Sequence, residues 1–127
     1  MAAIDLLIPY ALLPLRILLG IIFLSHGYPK LFKFNEYKEK FKSMGMPAIV
    51  LLLIGIAEFI GGLGMIIGLL TRFTAIIWSI IMLTAIYLKA FKWNKGLIDG
   101  YELDLVLLAG SLTIFILGAG PISIDAY

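Results

Sequence analysis

Arg16 and Glu58 are the side chains most able to do chemistry, because both stand inside long apolar runs. On insertion scales a charge at the centre of a membrane helix costs roughly 2.5–3.5 kcal/mol, so such groups are reserved for pairing or for function. Arg16 falls about midway along the first apolar run, and Glu58 about midway along the second. Neighbouring antiparallel helices would bring these midpoints to similar depth, which predicts an Arg16–Glu58 ion pair or a shared polar pocket. Such a pair would either set helix register or line a ligand site.

A second polar group collects near the ends of the apolar runs. It comprises His26, Tyr28 and Lys30 after the first, Tyr87 and Lys89 after the third, and Glu102 and Asp104 before the fourth. Histidine as a residue type suits proton relay, so His26 is a candidate relay or a hydrogen-bond partner for a quinone carbonyl; a helix-end histidine satisfied by water or a carbonyl is the simpler alternative. Glu102 and Asp104 point about 200° apart on a helix, so only one of them can face the core. Lys30 and Lys89 are expected to snorkel to the lipid headgroups. With one His and no Cys, thiolate metal sites, iron–sulfur clusters and bis-His haem ligation within this chain are excluded, and no metal or haem is expected.

These residues sit in a chain of 127 residues that is 62% hydrophobic and only 14% charged. Ordinary soluble domains are about 45–50% apolar and about 25% charged. A net charge of +2 is too small for a polyanion-binding footprint. The composition therefore specifies an integral membrane protein, because about 20 apolar residues cross a bilayer as one helix. Four such stretches occur, at about 6–28, 47–70, 73–91 and 101–120. Backbone groups in lipid must pair within the segment, so an all-α, single-domain, membrane-spanning four-helix bundle is expected.

Lys30, Lys33, Lys38, Lys40 and Lys42 follow the first span, and Lys89, Lys92 and Lys95 follow the third, against Arg72 alone on the opposite side. The positive-inside rule puts both lysine-rich loops in the cytoplasm of a multi-pass plasma-membrane protein, with both termini outside. Trp93, Tyr28, Tyr101 and Trp78 include candidate interfacial anchors, with a deeper position in the span as the alternative for Trp78. Within the first loop Phe34, Tyr37, Phe41 and Met44 recur at spacings of 3, 4 and 3. That spacing predicts a short amphipathic interfacial helix at about 35–44, capped by Asn35, stopped by Gly45, with its aromatic face among the lipid tails. Ala57, Gly61, Gly64 and Gly68 form a small-residue stripe that predicts close helix packing beside Glu58, and Arg16, Gly20, Phe23 and Gly27 form a matching stripe.

The run Leu15-Arg16, Gly20, Phe23, His26-Gly27 and Lys30, then Phe41 and Gly45-Met46-Pro47, resembles the DoxX family of small four-helix membrane proteins. Gly55-Ile56-Ala57-Glu58, Gly61-Gly62, Gly68-Leu69-Leu70-Thr71-Arg72 and Gly100-Tyr101-Glu102 continue the resemblance over nearly the whole chain. The family is similar in part to the DoxD subunit of thiosulfate:quinone oxidoreductase. The resemblance implies quinone-linked respiratory or sulfur-redox chemistry, a non-covalently bound quinone and partner subunits. It also implies recurrent polar positions at Arg16, His26, Lys30, Glu58, Arg72 and Glu102. The absence of Cys departs from any mechanism that tethers sulfur to a protein thiol.

Three functions fit these residues. In the first, a quinone or lipid-like ligand binds beside Arg16 and Glu58 in a membrane subunit of a quinone-dependent oxidoreductase. His26, Lys30, Tyr87, Glu102 and Asp104 would then connect the site to the cytoplasm as ligand or proton-relay groups, and Arg72 would be structural. The second is a non-catalytic assembly subunit of a respiratory complex, associated with lipid and with other subunits or further copies of itself. The third is a small proton-coupled transporter using Glu58. None involves nucleic acid.

Overall fold

The computed structural model describes residues 3–125. A 3-10 helix, Ala3–Tyr10, leads directly into α1, Leu12–Phe32. Lys33 then breaks the path, and α2, Phe34–Ser43, follows. The chain continues through α3, Ala48–Ile67, and α4, Thr71–Tyr87. Two wide five-residue turns, Leu88–Lys92 and Leu97–Tyr101, lead into α5, Glu102–Leu117. Four helical stretches are long and apolar enough to cross a membrane: Ala3–Phe32, Ala48–Ile67, Thr71–Lys92 and Leu97–Leu117. The fold is an all-α membrane bundle, and no strand occurs among the described residues.

The bundle reverses the polarity of a soluble protein. Arg16, Glu58, Asp104, Ser79 and Ser111 are buried, whereas Ile60, Ile80, Val106 and Ile116 are each more than half exposed. That pattern suits a hydrocarbon surround, where apolar side chains face outward without cost. The core joins Leu19 and Phe23 of α1, Met65 of α3, Trp78 and Met82 of α4, and Leu107 and Ile114 of α5. At its centre the rings of Phe23 and Trp78 stack with centroids 3.8 Å apart. Trp78 is fully buried and its Nε1–H donates to the Ala57 carbonyl at 3.0 Å, so it is a core residue and not an interfacial anchor.

α1 and α3 are the closest pair, and glycine is the reason. A Cβ on Gly20 would stand 2.9 Å from the Gly62 carbonyl oxygen, and one on Gly62 would stand 2.7 Å from the Gly20 oxygen. Further along, Gly27 lies against Glu58 and Phe59, and Gly55 against Lys30 and Leu31. The seam toward α1 is therefore Gly55–Glu58–Gly62, offset from the stripe expected at Ala57, Gly61, Gly64 and Gly68. Gly61 instead admits Thr74 and Trp78 of α4. Two partners divide one glycine-rich helix between them.

α2 corrects a second expectation. Its side chains Phe34, Tyr37 and Met44 are half-buried and Phe41 is buried, because the helix packs on α3 with its aromatic face toward the protein and not among lipid tails. Its N-terminal flank is Lys33, with no side-chain cap, in place of Asn35. Gly45 does end it, with φ +83°, where a side chain would be strained.

The ends of the helices gather at two poles. At one, Lys92 Nζ lies 3.4 Å from where a Gly45 Cβ would stand, so the α1–α3 and α4–α5 connections meet. At the other, the segment after α5 returns across the α3–α4 turn. Ile124 N–H donates to the Ile67 carbonyl at 3.3 Å and Asp125 N–H to the Gly68 carbonyl at 2.8 Å. The chain ends expected outside the cell, residues 1–2 and 126–127, lie outside the described residues.

Candidate functional site

Arg16 and Glu58 do not pair. The Gly20–Gly62 contact fixes the antiparallel register, and that register sets Arg16 opposite Ile66. Glu58 lies eight residues earlier on α3, about 12 Å along the axis at 1.5 Å per residue. Arg16 Nη1–H donates to the Ala119 carbonyl at 2.7 Å, and Nη2–H to the Ile66 carbonyl at 3.3 Å. Glu58 instead takes Lys30 as its ion-pair partner. The shared Arg16–Glu58 pocket is thereby replaced by two separate polar sites.

The first site lies inside the lysine-rich half of the bundle. Lys30 reaches inward along α1, and its ammonium donates to Glu58 Oε1 with both side chains largely shielded. Lys89, in the wide turn that follows α4, pairs with Asp104 of α5 at 2.7 Å. Neither lysine snorkels outward as expected, because each finds a buried carboxylate within reach of its four-carbon stem. The two pairs are not independent, since Glu58 also feels the charges of Asp104 and His26. His26 is exposed on α1, and its Nδ1 lies 2.8 Å from the Ile22 carbonyl oxygen.

The cluster thus comprises His26, Lys30, Glu58, Lys89 and Asp104, drawn from four helical segments. Of the two acidic residues on α5, Asp104 faces inward, whereas Glu102 is exposed and accepts the Asp99 N–H at 3.2 Å. That bond ties the preceding turn to the helix start and leaves Glu102 outside the cluster. Tyr87 is also outside it, 62% exposed, with its ring beside Phe91.

The second site is the opposite pole. Asp125 Oδ1 accepts the Leu70 N–H at 2.8 Å, while Oδ2 accepts the Thr71 N–H and the Thr71 hydroxyl at 2.8 Å each. The carboxylate thereby caps the exposed donors at the start of α4. Burial alone would raise its pKa. The hydrogen bonds from Thr71 and Leu70, with the positive charge of Arg16, outweigh that and hold the carboxyl below the ordinary aspartate value. Arg72, expected to be structural, is exposed beside this cap on an open concavity of about 250 Å³. It forms no ion pair among the described residues.

Sequence reasoning sent Lys89 to the headgroups and not to Asp104, and it gave Asp125 no role. For Lys89 the available signal was its spacing from Asp104 across one short connection between antiparallel helices. Asp125 follows α5 by eight residues, with glycines at 118 and 120 that permit a reversal, yet nothing local names Leu70 and Thr71 as its targets.

Comparison with known proteins agrees with this architecture. The chain is 32% identical over 115 residues to inner membrane protein YqjF of Escherichia coli K12, covering 87% of this chain and 85% of that protein. It is 29% identical over 113 residues to the Bacillus subtilis protein named "Putative oxidoreductase CatD", covering 89% and 83%. A Mycobacterium tuberculosis protein named as an uncharacterized membrane protein, Rv3486, is 30% identical over 127 residues, covering 89% and 77%. No solved structure matches. Residues 11–90 match the DoxX family, and the chain belongs to that family of membrane proteins.

Proposed function

We propose that this chain is a membrane subunit of quinone-linked electron transfer, in which His26, Lys30, Glu58, Lys89 and Asp104 hold and move protons beside a lipid-soluble quinone. One observation carries the reading: two carboxylates, each paired with a lysine, are buried within one half of a bundle that is otherwise apolar. Ionisable groups so placed are costly and are characteristic of relays and ligand sites. Reduction of a quinone consumes protons, so such a network supplies what the chemistry requires. The residues fit the ligand in kind, because the exposed His26 ring offers a hydrogen bond beside the buried acid–base pairs. A relative whose name includes oxidoreductase is consistent with it.

In this reading Arg16 does not touch the quinone. The tight Gly20–Gly62 seam and the Phe23–Trp78 stack separate it from the cluster, so proton access comes from the lysine-rich pole. By the positive-inside rule that pole faces the cytoplasm. Purification from native membranes tests the proposal. Quinone is expected to travel with the wild-type chain and to be lost from a folded Glu58→Gln variant. Quinone absent from both preparations, or retained equally by both, overturns it.

The matching of each carboxylate to one lysine favours a second reading, in which the ion pairs only set helix register in an assembly subunit. Glu58→Gln would then reduce recovery of partner chains and leave quinone content unchanged.

A further inference from the structure

We infer that the concavity at the α3–α4 turn binds the headgroup of a zwitterionic phospholipid, its phosphate on Arg72 and its primary ammonium on Asp125. The site lies at the pole opposite the buried lysine–carboxylate cluster, so it does not depend on the quinone-linked reading.

Two opposite charges line one hollow without meeting. The concavity measures about 250 Å³ and is lined by Leu70, Thr71, Arg72, Phe73 and Asp125. Arg72 is exposed, and neither an ion pair nor a hydrogen bond ties its guanidinium to the described residues. Asp125 draws its electrostatic support from Arg16 and not from Arg72. An ionised carboxylate offers about four lone-pair sites. The Leu70 N–H takes one on Oδ1, while the Thr71 N–H and hydroxyl take two on Oδ2. One site therefore stays open on Oδ1. This carboxylate already caps the start of α4, so the side-chain groups left for a ligand are a guanidinium and one carboxylate lone pair.

These charges select the ligand. A free anion at Arg72 meets the Asp125 carboxylate across the hollow, and a free cation at Asp125 meets both Arg16 and Arg72. A zwitterion satisfies both ends at once. The guanidinium favours phosphate, which it grips with two parallel N–H donors. The open Oδ1 lone pair needs an N–H donor, which a primary ammonium has and a trimethylammonium lacks. Position identifies the source. α3 ends at Ile67 and α4 starts at Thr71, so the concavity sits where two spans leave the hydrocarbon, at headgroup depth. Leu70 and Phe73 flank it and are 60% and 63% exposed. Apolar side chains so placed suit acyl chains and not a water-borne zwitterion.

Nanodiscs holding phosphatidylethanolamine and phosphatidylcholine in equal amounts supply the test, with native mass spectrometry of the released full-length protein counting the lipids it retains. Phosphatidylethanolamine is expected to be retained about tenfold over phosphatidylcholine, the worth of one hydrogen bond to a charged group. Arg72→Gln is expected to lower that retention about tenfold, while its unfolding midpoint in phosphatidylcholine alone holds, because Arg72 is bonded to no described residue. Equal retention of the two lipids by the wild type overturns the inference. So does an Arg72→Gln variant that keeps as much phosphatidylethanolamine as the wild type. Phosphatidylglycerol retained above phosphatidylethanolamine, in a parallel disc, assigns the site to Arg72 alone as an anion contact and overturns it. Glycerophosphoethanolamine, the same headgroup without acyl chains, is expected not to displace the lipid at millimolar concentration. Displacement assigns the site to a soluble zwitterion and overturns the phospholipid as its occupant.

Discussion

Lys30 supplies the counter-charge of Glu58 across the α1–α3 seam, with Arg16 about four helical turns away along α1. The buried acid therefore answers to a residue near the end of its partner helix and not to the charge nearest its own midpoint. That relationship decides which substitutions couple.

Lys30→Met strands a buried carboxylate and is expected to destabilise the bundle by about 3–5 kcal/mol. Adding Glu58→Met should recover most of that loss, because an apolar pair of similar size carries no desolvation cost. A double-mutant cycle by thermal unfolding in nanodiscs is expected to give a coupling of about 0.5–3 kcal/mol for residues 30 and 58, and none for residues 16 and 58. Coupling between 16 and 58 would contradict the register described above.

Gly62→Val puts a branched side chain where even a Cβ would stand 2.7 Å from the Gly20 oxygen and 2.8 Å from Leu24 Cβ. The two backbones must separate, at a cost of about 1–3 kcal/mol. Gly96→Ala is the control, since nothing lies within 4 Å of a Cβ at that position. Unfolding midpoints should fall for the first and hold for the second.

Asp125 links stability to pH at the pole where the tail returns. Its folded pKa is lowered, so the stabilisation is fully present above the unfolded aspartate pKa and is lost as pH falls through the lower folded value. Asp125→Asn turns an amide donor toward the donors of Leu70 or Thr71. The melting-temperature gap between wild type and variant is expected to be largest at neutral pH and to shrink on acidification below the ordinary aspartate range. A gap that widens in acid would reverse the assigned sign.

Trp78 tests how much of the bundle depends on its centre. Trp78→Phe keeps a ring to stack on Phe23 but loses the Nε1–H bond to Ala57, for about 1 kcal/mol in addition to the lost ring volume. Trp78→Ala removes a fully buried side chain and is expected to cost about 3–5 kcal/mol. Similar midpoints for the two variants would show that the stack contributes little.

Much of the architecture was legible because membrane insertion reads local composition. Runs of about 20 apolar residues, bounded by Pro47, the Thr71-Arg72 joint and Asn94-Lys95-Gly96, specify spans without reference to neighbours. The α2 periodicity likewise located a helix to within a residue at each end. The orientation of its aromatic face was not legible, since a lipid surface and an apolar protein surface attract Phe41 equally. Lys30 was misread for a related reason. A flexible stem lets an ammonium turn outward or inward, and only the neighbouring helix reveals whether a carboxylate waits within reach.

Composition and helical periodicity by themselves determined the membrane class, the spans and the set of costly ionisable residues. Each of these follows from what one segment loses or gains on leaving water. Tertiary structure alone decided which charges meet. Residue spacing fixes the angle of a side chain around its own helix but leaves the sliding offset between helices free. Here backbone contact at Gly20 and Gly62 removed that freedom, and the returning tail brought Ala119 and Asp125 to the pole where Arg16 lies.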